Sequence, residues 1–95
     1  MDSDEARAVL ALHVADYRGR LYSDLVSLID SQPEPAEVSG PSGARYQIEV
    51  VAAWDGTPGG DVRIIGSVDD GGWRAFAPVS DDFIMRPDGS FVGER

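Results

Sequence analysis

The hydrophobic pattern of the first third of the chain predicts an α-helix, because large apolar residues recur at intervals of three or four. They are Leu10, Val14, Tyr17, Leu21, Leu25 and Leu28. Asp4 and Glu5 suit the first turn of such a helix. Gln32-Pro33 ends the pattern, so we expect the helix to run from about Asp4 to Ser31. Gly19 predicts a kink near its middle, and two helices joined near Gly19 are the alternative.

The predicted helix is apolar on more than one face. Further apolar residues continue the stripe around it: Ala8, Ala11, Ala15, Tyr22, Val26 and Ile29. A helix that is apolar over more than half of its circumference normally contacts two surfaces. One is expected to be a sheet, and the other could be the same helix of a second copy, since alanines let two backbones approach closely. His13, the only histidine, borders the polar side, where we expect a partly exposed residue without a chemical role.

Between residues 33 and 43 the composition changes to Pro, Gly and Ser, which is typical of a linker. We therefore divide the chain into a helical region over 1–32, a linker over 33–43 and an antiparallel sheet with a C-terminal hairpin over 44–95. All three parts belong to a single domain over 1–95, because 95 residues is the size of one ordinary domain.

The sheet region alternates apolar and polar positions, as β-strands do. We expect strands over 46–54, 62–68 and 73–79, joined by a turn at Asp55–Asp61 and by a two-residue hairpin turn at Asp70-Gly71. These turns set the register. The expected pairs are Trp54 with Val62, Ala52 with Ile64, Val50 with Gly66, Val68 with Trp73, Gly66 with Ala75, Ile64 with Ala77 and Val62 with Val79.

The C-terminal segment Phe83–Val92 predicts a small hairpin with Pro87-Asp88-Gly89 as its turn. The complete pattern predicts an α+β fold, in which a long or kinked N-terminal helix packs on an antiparallel meander of three to five strands.

The expected register leaves apolar side chains on both faces of the sheet. On the face away from the helix it aligns Val51, Ile65 and Phe76, with Arg63 and Arg74 in the neighbouring rows. A contiguous apolar patch rimmed by charges is typical of a protein contact site, so these five residues are the candidate interface. The alternative is that the terminal hairpin or the second half of the helical region covers the stripe.

The charge of the chain narrows the choice of partners. Asp and Glu number 17 against 8 basic residues, all arginine, which gives a net charge of −9. This field repels phosphate backbones and anionic lipids, so we expect no nucleic-acid partner and no membrane association. An acidic N-terminus, the lack of a long apolar run and the absence of cysteine favour a cytoplasmic location.

Four carboxylates are the remaining candidates for site chemistry. In the expected topology Asp55, Asp61, Asp81 and Asp82 lie at one end of the meander, where they could bind Ca²⁺ or Mg²⁺. The alternative, which we favour, is that they are ordinary turn and capping residues. No nucleophile elbow, phosphate-binding loop or lysine is present, so we expect neither catalysis nor a cofactor.

These features together favour a small, acidic, non-catalytic protein-binding module that forms a homodimer. Two alternatives stay open. Size and charge also suit an immunity-like or antitoxin-like inhibitor of a basic partner, and the carboxylates would suit a divalent-cation-binding protein.

Overall fold

The structure, a computed structural model, describes residues 3–69 and 79–93 of the chain. Its elements are α1 (Ser3–Arg18), α2 (Tyr22–Val26), β1 (Glu34–Ser39), β2 (Arg45–Trp54), β3 (Val62–Asp69) and β4 (Val79–Met85). The strands form an antiparallel sheet in the order β1-β2-β3-β4, and α1 packs against one of its faces. The predicted α+β fold is therefore confirmed.

The helical region is broken at Gly19, so a single helix to Ser31 is wrong and the two-helix alternative is correct. Gly19 N donates to Asp16 O at 3.2 Å, and this tight turn ends α1. Glycine is a poor helix former, which makes it the natural point of interruption. Because the break changes the direction of the chain, Leu21 leaves the apolar stripe and is 70% exposed, whereas Leu25 is fully buried.

The segment predicted as a linker contains a strand, β1, which pairs with β2. The Pro, Gly and Ser residues around it concealed the alternation of Ala36 and Val38, whose side chains lie on the same face as α1. Gly40 N donates to Ala44 O at 2.8 Å and closes the β1–β2 hairpin. Hydrogen bonds alternate along an antiparallel pair, so the main chain of Pro35 is directed away from β2, where its missing N–H costs no ladder bond.

The predicted register of β2 and β3 is confirmed. Trp54 pairs with Val62, Ala52 with Ile64 and Val50 with Gly66. The alternation of apolar residues and the turn between the strands both demanded this pairing, since a slip of one residue would turn every buried side chain to the other face.

The strand that pairs with β3 on the side away from β2 is β4, Val79–Met85. The prediction that a strand over 73–79 pairs there is wrong. Val62 pairs with Met85 rather than with Val79, and Val68 pairs with Val79 rather than with Trp73. The Asp70-Gly71 turn signal favoured too short a connection; residues 70–78 lie outside the described part of the chain. Opposite Ile64 and Val62, β4 offers Phe83 and Met85 to the helix-facing side, where the predicted strand offered the smaller Ala77 and Val79, and larger apolar side chains gain more from burial.

The turn predicted at Pro87-Asp88-Gly89 is present. Arg86 N donates to Ser90 O at 2.7 Å, and Gly89 N donates to Arg86 O at 2.8 Å. Gly89 has a φ of +89°, the left-handed conformation that this kind of turn requires at its end. The Asp88 carboxylate accepts hydrogen bonds from the Ser90 hydroxyl at 2.6 Å and the Ser90 N–H at 2.9 Å, and these bonds lower its pKa.

The core lies between α1, α2 and one face of the sheet. Its fully buried large side chains are Tyr46, Leu10, Leu25, Ile48, Ile64, Val14, Val62 and Val68. Gly66 lets α1 approach β3 closely, since a Cβ atom there would lie 2.7 Å from Val14 Cγ2 and 3.1 Å from Leu10 Cδ1. The side chains of Leu10 and Val14 therefore rest on the sheet backbone at Gly66.

Candidate interaction surface

The outer face of α1 carries an apolar surface that the sheet does not cover. Leu12 is 78% exposed, the largest exposed fraction among the big apolar side chains of the described residues. Ala8, Ala11 and Ala15 are also exposed. Ala8 and Ala15 lie four and three positions from Leu12, and Ala11, which is next to Leu12, lies three and four positions from those two alanines, so all four residues share one side of the helix. Together these four residues form what we call the outer helix face.

A groove of about 500 Å³ separates this helix from β1. The residues that line it are Val9, Leu12, His13, Val38, Ser39, Gly40 and Pro41. His13 is half-buried at its wall, as its expected partial exposure implies, and its ring lies 5.8 Å from that of Tyr17. The groove connects the outer helix face with the edge of the sheet.

A carboxylate fixes one end of the groove. Glu5 accepts hydrogen bonds from the Tyr46 hydroxyl at 2.5 Å, from Ser42 Oγ at 2.7 Å and from Ser42 N at 2.9 Å. These bonds, with that of Tyr46 the strongest influence, lower the pKa of Glu5. They attach the first turn of α1 to the β1–β2 hairpin. The sequence assigned Glu5 only to the start of the helix, because its partners lie about 40 residues away.

The far side of the groove ends at β1, which is an edge strand of the described sheet. No described residue pairs with its outer side. The main-chain groups of Glu37 and Ser39 are directed outward there, by the alternation that closes the hairpin. The Glu37 carboxylate lies on the face away from α1 and accepts bonds from Arg45 Nη1 at 3.2 Å and Gln47 Nε2 at 2.9 Å.

The described part of the interface predicted from the sequence, Val51, Arg63 and Ile65, lies on the face of the sheet away from α1. Val51 pairs with Ile65 as expected, and Val51 is 38% exposed while Ile65 is half-buried. Asp82 is the partner of Ile65 on β4, so the predicted pairing with Phe76 is wrong. Phe76 and Arg74 lie outside the described residues. The apolar stripe among the described residues therefore stops at a carboxylate.

Arg63, another member of the predicted interface, is engaged in ion pairs. Its Nη1 lies 2.8 Å from Asp82 Oδ2, and its Nε and Nη2 each lie 3.3 Å from Asp55 Oδ1. All three side chains are more than one third exposed, so water screens these pairs and they contribute little to stability. Arg63 of β3 thus links Asp82 of β4 to Asp55 in the turn between β2 and β3.

The four aspartates do not gather into a cation site. Asp55 and Asp82 meet at Arg63, whereas Asp81 is opposite Gly66 on the helix-facing side of β4. Asp61 is joined to Asp55 by a main-chain bond of 2.8 Å between Asp55 N and Asp61 O. Within residues 3–69 and 79–93, no group of three or more His, Asp or Glu side chains could hold a metal ion. The aspartates were expected to converge because the predicted register paired Val62 with Val79. In the structure Val62 pairs with Met85, six residues further along the chain, so Asp81 and Asp82 lie at the middle of β3 rather than at its end.

A second groove, of about 490 Å³, lies between the α1–α2 junction and the C-terminal hairpin. The exposed Leu21 lines it, and so does Arg18, whose guanidinium lies 4.8 Å from the centre of the Phe83 ring. This groove has no sheet edge beside it among the described residues, since Phe91 bridges Met85 there.

Comparison with protein-family models, curated proteins and solved structures found no match for this chain. Neither helix of the described residues has both the length and the apolar character needed to cross a bilayer.

Proposed function

We propose that this chain is a non-catalytic protein-binding domain that associates with a second copy of itself. The observation that carries the proposal is Leu12, a large apolar side chain that is mostly exposed in the middle of the outer helix face. Scattered exposed leucines are common, but this one adjoins three exposed alanines and an apolar groove. Contiguous apolar patches of this kind mark contact sites.

The surroundings of Leu12 suit a contact site in two further ways. The helix that presents it is held rigidly, because Leu10 and Val14 are fully buried and Glu5 attaches the first turn to the sheet. A preorganised surface loses less conformational entropy when it binds. The edge of β1 beyond the groove supplies main-chain donors and acceptors, which add direction to an otherwise apolar contact.

The residue chemistry favours binding over catalysis. The chain has one histidine and no cysteine, and its basic residues are all arginine. Glu5, one of the carboxylates whose pKa is lowered, accepts hydrogen bonds from Tyr46 and Ser42 that attach α1 to the sheet. An immunity-like or antitoxin-like inhibitor of a basic partner stays a prediction from size and charge.

The test is the mass of the particle in solution. We expect light scattering to show a rise from 10.2 kDa toward twice that mass as the concentration increases from about 5 to about 500 μM. Leu12→Gln should weaken the dimer by about tenfold or more, since burying one leucine stabilises by about 1.5–3 kcal/mol.

Leu21→Gln is the matched control, because Leu21 is similarly exposed but lines the other groove. It should leave the dimer unchanged. A particle of 10.2 kDa at every concentration, or equal weakening by both substitutions, would contradict the proposal.

A further inference from the structure

We infer that two copies join edge to edge through β1, with Glu37 opposite Ser39 of the partner subunit, to form one continuous antiparallel sheet. This inference rests on the proposed self-association and specifies how it occurs. It follows from the direction of the main-chain groups of β1, from the position of Pro35 and from the charges of Glu37 and Arg45.

The edge of β1 to which no described residue pairs offers few hydrogen-bond donors. Its outward main-chain positions are Pro35, Glu37 and Ser39, and proline has no N–H. Each strand thus presents two donors, from Glu37 and Ser39, together with the carbonyls of all three positions. A two-fold antiparallel pairing must use these groups, because the main chain of Ala36 and Val38 already bonds to β2.

Within β1, two symmetric registers satisfy both donors of each strand. One places Glu37 opposite Glu37 of the partner subunit, and the other places Glu37 opposite Ser39 of the partner subunit. The first sets two carboxylates directly across from each other, which destabilises an antiparallel pair. The second separates them and places a small hydroxyl beside each carboxylate.

The second register is also complementary in charge. Ser39 pairs with Arg45 inside each chain, so the row across the joined sheet runs from Glu37 through Ser39 to Arg45 of the partner subunit. The Arg45 side chain is 73% exposed and lies on the same face as the Glu37 carboxylate, to which it is bonded at 3.2 Å. Because Ser39 is small, each carboxylate comes within reach of both arginines. The two-fold axis repeats this arrangement on the other side.

The two-fold axis of this dimer passes between Val38 and Val38 of the partner subunit, whose side chains lie on the helix-facing side of the sheet. Two Val38 side chains meet there, in a pair whose Cα atoms are about 4.5 Å apart in ordinary antiparallel sheets. The meeting buries the half-exposed Val38 and joins the two grooves, each of which is bordered by Leu12, into one. Apolar contact on one face and alternating charges on the other make the edge complementary to itself.

Single cysteines test this register, because the chain contains no other thiol. Val38→Cys should form a disulfide-linked dimer under mild oxidation, since residue 38 faces its own copy at a separation that a disulfide spans. Glu37→Cys and Leu21→Cys are the matched controls; residue 37 faces Ser39 of the partner subunit, and Leu21 lies far from the edge. We expect Val38→Cys to cross-link about tenfold faster than either.

Charge exchange provides a second readout that does not depend on cysteine. Arg45→Glu should weaken the dimer by about tenfold at about 0.15 M salt, where the repulsion between the two acidic chains is largely screened. The double variant Glu37→Arg with Arg45→Glu should recover most of the loss, because the reciprocal pairs form again with opposite signs. Circular dichroism confirms that each variant is folded.

The outcomes separate this inference from the proposed function. A dimer by light scattering in which Val38→Cys cross-links no faster than Leu21→Cys overturns the β1 pairing and leaves self-association standing. Faster cross-linking by Glu37→Cys overturns the register, and failure of the double variant to recover overturns the role of the charges. A monomer at every concentration overturns both proposals.

Discussion

The two faces of the sheet contain neighbouring residues of the same type with different environments. Val50 is buried and Val51, next to it in β2, is more than one third exposed; Ile64 is fully buried and Ile65, next to it in β3, is not. Composition and strand position are the same within each pair, so the difference comes from what covers each face. The helix, rather than the hydrophobicity of the strands, therefore decides which side becomes the core.

The largest difference in stability between the two faces is expected when each of the two isoleucines is truncated to alanine. Ile64→Ala should lower the free energy of unfolding by about 3 kcal/mol, because it leaves a cavity beneath α1. Ile65→Ala should lower it by about 1 kcal/mol, since its side chain is only half-buried. Urea denaturation measures both. Equal losses would mean that the face away from α1 is as well covered as the core.

A smaller loss of stability is expected at Gly66, where side chains of α1 contact the backbone of β3. Gly66→Ala should destabilise the fold by about 1–3 kcal/mol, because the added Cβ would lie 2.7 Å from Val14 Cγ2. Ser67→Ala, the next residue and on the other face, should change stability by less than about 0.5 kcal/mol. The double variant of Gly66→Ala with Val14→Ala should cost less than the sum of its parts. Additive losses would show that the helix does not approach β3 this closely.

The smallest effect concerns the polar attachment of the helix. The pKa of Glu5 is lowered in the folded chain, so its contribution to stability is present above its ordinary value of about 4.3 and is lost as the pH falls through the lower folded value. Glu5→Gln should therefore be less stable than the parent at neutral pH, and the difference should shrink below about pH 4. Urea midpoints across this range measure it.

Asp88→Asn is the control for that experiment. Asp88 accepts the same kinds of bonds from Ser90, and its pKa is lowered too, but these bonds stay within one hairpin. Its substitution should leave hydrogen exchange in α1 unchanged, whereas Glu5→Gln should accelerate exchange in the first turn of α1. Acceleration by both substitutions would show that Glu5 has no special role in holding the helix.

The sequence predicted the part of the fold in which local signals agree. The β2–β3 register followed from strict alternation and from the turn between Trp54 and Val62, which both required the same pairing. β4 was misplaced because a strong turn signal at Asp70-Gly71 competed with weaker alternation in Val79–Met85. β1 was missed because Pro35, together with Pro33 and Pro41 on either side of the strand, resembles a linker, although Pro35 occupies an outward position where the sheet tolerates it.

The candidate surface was less predictable than the fold. The broad apolar arc of the first helix indicated a second contact, but periodicity cannot tell which of two apolar stripes a sheet will cover. Leu12 was therefore not singled out, while Val51 and Ile65 were, from a register that extended correctly over two strands only. Glu5 could not be identified as an anchor, because its partners Ser42 and Tyr46 are 37 and 41 residues away along the chain and only the tertiary fold brings them together.

Pro35 sets a limit on how far such sheets can grow. Unprotected edge strands can recruit one chain after another until a fibril forms. Because Pro35 has no N–H, the outward donors of β1 are those of Glu37 and Ser39, at the end of the strand nearest the hairpin. In the dimer that we propose, one short pairing uses this part of β1, and the missing N–H of Pro35 keeps the strand from serving as a continuous template for further chains.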